Sequence, residues 1–313
     1  MKVSFLITYY NQKEYVHESI QSVLKIRKSN IEWEILVGDD GSTDGTIEEI
    51  EKYVKTDPEH IKLFIMPRER GKKYFSVQRA SQNRLNLLSH ASGDFFCTLD
   101  GDDFYCDSEF LMEAIDVFEQ DPDVSIVGFG YRYYKNGAYG ESFTLHAGAC
   151  VHRRCFDENR IEYIKQIGYF DDNDIVINSL CYGKMFAINR PIYAYRQTGE
   201  SVYTSMSTLE QAVLNVQGYD VDCVIAPQYK DELLERNVDS ILTTYFKRKE
   251  LKELLGEKYE TYLLTSEHLP NSLLTSFLKG DWASSNIVRD SVKKICKVAP
   301  YTLIKTAIKS RMI

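Results

Sequence analysis

The segment FFCTLDGDDFY, residues 95–105, constrains this chain more than any other. Phe95, Phe96, Cys97, Thr98 and Leu99 form an apolar run that reads as a short buried strand. The run stops at three carboxylates, Asp100, Asp102 and Asp103, and Gly101 permits a tight turn between them. Acids packed this closely repel one another and need either full solvation or a cation. Mg2+ and Mn2+ are hard ions that take carboxylate oxygens and commonly hold substrate phosphates at the same time. The segment therefore predicts a metal–diphosphate site at the carboxyl end of a strand, where open α/β sheets bind ligands. An ordinary Asp/Gly turn after a strand would leave the same trace.

The flanking sequence places that strand in an α/β domain. VSFLIT (3–8), EILVG (34–38) and 61–66 read as buried strands, and helices are predicted over 13–28, 44–56 and 76–90 between them. Asp44 is a plausible cap for the second helix. Strands alternating with helices imply a mostly parallel, Rossmann-like sheet flanked by helices. After the acids come a helix over 108–120, a strand over 124–130, a Tyr- and Gly-rich stretch suited to a sheet edge (131–148), and a short connecting helix over 150–159. Asp171-Asp172-Asn173-Asp174 opens a further helix, and 184–188 and 192–196 read as short strands. From 209 onward only amphipathic helical stretches occur (209–221, 230–247, 249–264, 272–279). The predicted organisation is a catalytic domain over 1–204 and a helical extension over 205–313.

Composition narrows the function. A hydrophobic content of 43% over 313 residues supplies a sizeable core, and a net charge of −8 argues against nucleic acid as a partner. The seven cysteines are scattered with no CxxC pair, so reduced thiols are expected rather than zinc or disulfides. No stretch reaches the roughly 18 apolar residues of a membrane span, and no signal peptide is visible, so a cytoplasmic location is expected.

Four blocks in order, FLITYYNQKEYV (5–16), EILVGDDGSTDGT (34–46), GDFFCTLDGDD (93–103) and the segment 170–202 beginning FDDND, resemble the bacterial family 2 glycosyltransferases with the GT-A fold. The resemblance implies an inverting transferase that moves a sugar from a nucleotide-diphosphate donor, most simply a UDP-sugar, to a surface-glycan or lipid-linked acceptor. It implies that Thr8, Tyr9 and Tyr10 stack on or bond the base, and that Asp39 or Asp40 accepts from a uracil N–H. Asp39 is the preferred one, but the residues leave the choice open, and either could instead cap the following helix. In the Asp-X-Asp motif Asp102 would ligate Mn2+ or Mg2+, Asp100 would bond ribose or orient the metal, and Asp103 would steady the turn. Asp172 would be the base that takes the acceptor's proton, and Asp174 the helix cap.

Arg196 and Ser201 stand as phosphate contacts, although Gln197 and Thr198 occupy positions where many relatives have a metal-touching His. Arg84 or Arg79, with Lys72 or Lys73, could face the diphosphate, a solvated charged face being the plainer account. His146 and His152 lie where the resemblance implies acceptor contacts, a structural role being the plainer account. A nucleotidyltransferase that makes nucleotide sugars is the rival enzyme, but Tyr9-Tyr10-Asn11-Gln12 lacks its Gly-rich, basic signature. A nucleotide-binding module with a decayed site is the rival outside enzymes.

The carboxyl-terminal stretch 279–313 has different chemistry. It holds eight Lys and Arg against two acids, with interleaved Ile, Val and Leu. Such a segment suits an anionic membrane surface, or a last helix packed on the protein with its basic side in water. Oligomeric state is not legible.

Overall fold

The computed structural model describes residues 1–69, 71, 74, 76–155, 164–165, 169–198 and 206–256. The chain divides into two compact units, Met1–Thr204 and Ser205–Ile313.

The first unit is built on one curled sheet ordered β3-β2-β1-β4-β8-β6-β9-β5, with β7 paired to β6. In chain order the strands are β1 (Lys2–Tyr9), β2 (Glu32–Asp39), β3 (Ile61–Ile65), β4 (Phe95–Asp100), β5 (Phe104–Tyr105), β6 (Val124–Lys135), β7 (Ala138–Phe143), β8 (Cys150–Arg153) and β9 (Lys184–Arg196). The helices are α1 (Val16–Leu24), α2 (Thr46–Thr56), α3 (Ser76–His90), α4 (Phe110–Gln120) and α5 (Asp172–Leu180). β3, β2, β1 and β4 are parallel neighbours, as β–α alternation demands. β8 runs antiparallel between β4 and β6, which restores the original direction in β6 and its parallel partner β9. The fold is thus the mixed α/β, mostly parallel sheet flanked by helices that the sequence predicts.

Period-two alternation sorts each strand between two faces. Val3, Phe5, Ile7 and Tyr9 of β1 enter the same core as Ile35 and Val37 of β2 and Phe95, Cys97 and Leu99 of β4. Val16, Ile20 and Val23 of α1 and Phe110, Leu111, Ala114, Ile115 and Phe118 of α4 close that core. Burying each such side chain is worth about 1.5–3 kcal/mol. The opposite face of β1 and β2 receives α3. There Asn83 lies against Gly38, where an added Cβ would stand 2.1 Å from Asn83 Oδ1. A side chain on Gly38 would therefore push α3 off the sheet. This contact brings α3 over the carboxyl ends of β1, β2 and β4.

Three local expectations change. Residues 150–153 form strand β8 rather than a connecting helix, because Val151 and His152 pair into the gap between β4 and β6; residues 156–160 lie outside the described part. The two strands predicted over 184–196 are one, since register shifts around Gly130 of β6 absorb the break at Pro191. Helix α2 is capped by Gly45 in a left-handed conformation at φ 98° rather than by Asp44. Asp44 instead accepts the Thr46 N–H at 3.0 Å.

The second unit contains α6 (Thr208–Ile225), α7 (Lys230–Phe246) and α8 (Arg248–Leu255). Ser207 and Glu210 form a capping box at the start of α6. No helix among the described residues is long and apolar enough to cross a membrane. The amphipathic stretch 272–279 and the basic tail 279–313 lie outside the described residues.

Candidate active site

The acidic turn is fastened by its own backbone. The Gly101 N–H donates to the Thr8 carbonyl and the Asp103 N–H to the Asp100 carbonyl, both at 2.9 Å. Gly101 sits where a Cβ would approach the Tyr9 ring to 2.2 Å, so the turn tolerates no side chain there. Its three acids have three different environments. Asp103 is buried and accepts from the Tyr193 hydroxyl at 2.7 Å and the Arg196 N–H at 2.6 Å. Asp103 therefore ties the turn to β9, and burial, reinforced by Asp102 and Asp100, pushes its carboxyl well up. Burial and the Asp100 charge push Asp102 up to about 6 against a Gln12 hydrogen bond and nearby Arg196. Asp102 has no ion-pair partner among the described residues. Asp100 is held below the ordinary carboxylate range, burial being more than offset by Arg84.

Arg84, on the face of α3 turned toward the strand ends, joins the two acidic segments. Its guanidinium lies 2.7 Å from Asp100 Oδ1, 3.1 Å from Asp172 Oδ1, and against Asp171. Its side chain is 8% exposed. Burial opposes its charge, and the three carboxylates overcome that, so it stays protonated. Asp171 and Asp172 open α5, where the Asp171 N–H donates to Asp174 at 2.5 Å. Asp171, rather than the expected Asp174, is therefore the N-cap; Asp174, the third residue of the helix, completes a capping box with it, and Asp172 is left to face the guanidinium. Burial pushes the Asp172 carboxyl up to about 7 against the pull of Arg84, with Asp171 and Asp100 adding to the rise.

On the β1–β2 side the predicted base-binding residues separate. Thr8 donates to Asp100 Oδ1 at 3.3 Å, and the Tyr10 ring is exposed. The expectation that Tyr9 stacks on a base does not fit its placement. Alternation from Val3 turns Tyr9 into the core at 2% exposure, and its hydroxyl bonds Ser19. Asp39 accepts the Ser42 N–H at 2.8 Å and its hydroxyl at 2.5 Å, closing its own loop. Asp40 is clamped between Arg68 and Arg79. The Arg68 guanidinium lies 3.8 Å over the Tyr10 ring. Neither acid caps a helix.

Arg196 is occupied as well. It donates through Nε to the Asp102 carbonyl at 2.6 Å, pairs with Glu18, and lies over the Tyr15 ring at 4.6 Å. These contacts help hold the turn in place. Arg79 likewise pairs with Asp40. Ser201, Lys72 and Lys73 lie outside the described residues. His152 is fully buried, stacked on Phe96, and bonds Ser179 at 2.8 Å. Sequence reasoning did not assign Arg68, Gln12 or Tyr193; only Arg68 left a signal, as part of a basic loop after β3.

The donor set at the turn suits a hard cation bound together with a phosphate ligand. Asp100 and Asp102 offer carboxylate oxygens two residues apart. No group of three or more His, Cys, Asp or Glu suited to holding a metal occurs among the described residues. Any ion held by Asp100 and Asp102 would therefore keep waters and substrate oxygens, unless residues outside those described complete its shell.

The guanidinium clamp yields a prediction. Arg84→Met leaves three acids without their shared cation, and breaking such a buried pairing typically costs about 3 kcal/mol or more. The carboxyls then rise toward neutrality, so the folded state binds protons that the unfolded chain does not, and stability falls as pH rises. Thermal melts are expected to show a loss several-fold larger at pH 8 than at pH 5; equal losses would contradict the clamp.

The family model for glycosyl transferase family 2 matches residues 4–193. Among curated relatives, a putative glycosyltransferase EpsE of Bacillus subtilis is 31% identical over 134 residues, 41% of this chain and 42% of that protein. A putative teichuronic acid biosynthesis glycosyltransferase, TuaG of Bacillus subtilis, is 32% identical over 117 residues, 36% of this chain and 42% of that protein. The matches therefore span less than half the length of either relative. The Staphylococcus aureus TarS crystal structure with UDP-GlcNAc superposes with a TM-score of 0.56 at 16% identity, covering 99% of this chain and 92% of that one. A mannosyltransferase from Pyrobaculum calidifontis, solved with GDP-Man and Mn2+, reaches 0.50 at 16% identity, covering 98% and 84%. The structural likenesses establish the GT-A fold, and the match over 4–193 establishes the family: this chain belongs to glycosyl transferase family 2.

Proposed function

We propose that the protein is a metal-dependent, inverting glycosyltransferase that moves a sugar from a nucleotide-diphosphate donor, a UDP-sugar, to a surface-glycan or lipid-linked acceptor. The observation that carries this reading is the convergence of Asp100 and Asp172, 72 positions apart in the chain, on the Arg84 guanidinium, with Asp102 two residues beyond Asp100. One acidic segment then serves the donor and the other the acceptor across a single site.

The base would lie along the exposed Tyr10 ring, over a loop kept in shape by Asp39 and by the Asp40–Arg68–Arg79 cluster. Asp102 and Asp100 would hold the ion. Bound Mn2+ or Mg2+ supplies neutralisation of the diphosphate and of the leaving group. Asp172 takes the proton from the attacking hydroxyl. A carboxyl near 7 is well matched to that task, because it is basic enough to accept a proton yet about half ionised in neutral solution. Ionisation must precede transfer, so the rate is expected to climb as pH rises through about 7.

The basic amphipathic tail 279–313 would rest on anionic lipid at the inner face of the cytoplasmic membrane, where a lipid-linked acceptor is presented.

Two variants separate the roles. UDP with Mn2+ should stabilise the protein by about 2.7 kcal/mol at a hundredfold excess over Kd. Asp102→Ala should abolish that shift, and no metal-dependent shift in the unaltered chain would overturn the reading. Asp172→Asn should keep donor binding and lose transfer by about two to four orders of magnitude; weak donor binding with surviving transfer would remove the base assignment.

Liposome co-sedimentation tests the tail. The full chain is expected to pellet with anionic vesicles and a 1–278 truncation to stay in solution. Equal behaviour would exclude the membrane role.

A further inference from the structure

The β6–β7 hairpin carries an aromatic wall that the donor side of the site does not use. Asn136 and Gly137, both at positive φ, make the two-residue turn that brings β7 back along β6. Alternation then lines up rings on one face. Tyr131 stands opposite Phe143 of β7 and Tyr193 of β9, and Tyr133 opposite Tyr195. The Tyr131 ring stacks on Phe143 at 4.9 Å and meets His146 at 4.8 Å, while Tyr133 meets Phe143 at 4.9 Å and Tyr195 at 6.0 Å. Tyr193 is buried beneath them, whereas Tyr131, Tyr133, Phe143, His146 and Tyr195 are all half-buried. Tyr131 and Tyr195 pack against the hydrophobic core on one side, and all five rings keep part of their surface in water.

The wall has a definite place relative to the acids. In the sheet, β1 and β2 lie on one side of β4 and β6 and β9 on the other. Asp100, at the end of β4, thus separates the Tyr10 side from the aromatic side. The turn after His146 packs against β4 and α5, the helix that Asp172 opens. His146 lies within electrostatic reach of Asp100 and Arg84, and Tyr195 within reach of all three acids of the turn. His146 Nδ1 accepts the Gly148 N–H at 3.0 Å, which leaves Nε2 as the protonated nitrogen of a neutral ring and a hydrogen-bond donor.

We propose that the wall of Tyr131, Tyr133, Phe143, His146 and Tyr195 is the acceptor subsite, and that it selects a chain of pyranose rings over a polyol-phosphate polymer. The inference rests on the transferase reading and names its acceptor class. A pyranose has an apolar C–H face and a rim of hydroxyls, which match flat rings edged by phenol groups and one imidazole N–H. An acyclic polyol phosphate has no such face, and its charge calls for Arg or Lys. None of the five side chains is cationic at neutral pH. Arg132, between Tyr131 and Tyr133 in the strand, lies 5.0 Å over the Tyr139 ring instead.

The test is binding of the full chain, loaded with UDP and Mn2+, to an array of immobilised glucose and N-acetylglucosamine oligomers beside glycerol- and ribitol-phosphate oligomers. Pyranose oligomers are expected to bind in preference to the polyol phosphates. Tyr133→Leu and Tyr195→Leu should weaken that binding about tenfold or more, and Tyr133→Phe and Tyr195→Phe should restore it, since only they keep the flat face. The UDP–Mn2+ melting shift should be the same in all four, which also verifies folding. Preference for polyol phosphates, no glycan bound by a chain that still binds nucleotide, or Leu variants that bind as tightly as the unaltered chain would each overturn the proposal. Pyranose binding through the wall without any metal-dependent nucleotide shift would keep the subsite and sink the transferase reading.

Discussion

The site depends on one buried guanidinium. Arg84 stands between Asp100, at the end of β4, and Asp171 and Asp172, at the start of α5. Without a cation between them, these acids would repel across the site, and the start of α5 would be driven away from the strand ends or forced to protonate. With it, the two segments are held at hydrogen-bond distance from one group, and the geometry is set before any ligand arrives. A preformed arrangement of this kind is what a displacement between two substrates requires, because the cost of assembling the groups has already been met in folding.

The same logic recurs at the edges of the site. Asp40 is held by Arg68 and Arg79 on the β2 side, and Asp103 by Tyr193 and the Arg196 backbone on the β9 side. Arg196 adds the Asp102 carbonyl and Glu18. Each carboxylate that shapes a loop has a donor of its own; Asp102 is bonded by Gln12 and has no ion-pair partner among the described residues. Its raised carboxyl and the low one of its neighbour Asp100 differ by environment alone.

Much of this was legible in the residues. The apolar runs at 3–8, 34–38 and 95–99 became β1, β2 and β4, because runs flanked by helical periodicity have few other places to go. The three acids after β4 and the acids before α5 announced themselves by their density. Tyr9 was also readable in principle: counting by twos from Val3 places it in the core, and the YY pair concealed that count. What stayed hidden were pairings of long range. Nothing in Arg84 itself distinguishes it from Arg79, which turns to Asp40, since the two differ only in which part of α3 they occupy. Arg196 sits in a segment whose resemblance suggests a phosphate contact, yet its neighbours in space engage it with the Asp102 carbonyl and with Glu18.

The sequence by itself determined the alternation of strand and helix, the acids at the strand end, and hence the fold class and the kind of chemistry available. Tertiary structure alone decided which cation each acid receives, which tyrosines are core and which are wall, and that residues 150–153 are a strand. The physical reason is range. Periodicity and turn chemistry act over a few neighbouring residues and are written in the local order of side chains. Charge pairing and ring packing act between atoms brought together from 87 or 64 positions apart, as in Arg84 with Asp171 and Tyr131 with Tyr195, and exist only once the sheet has closed.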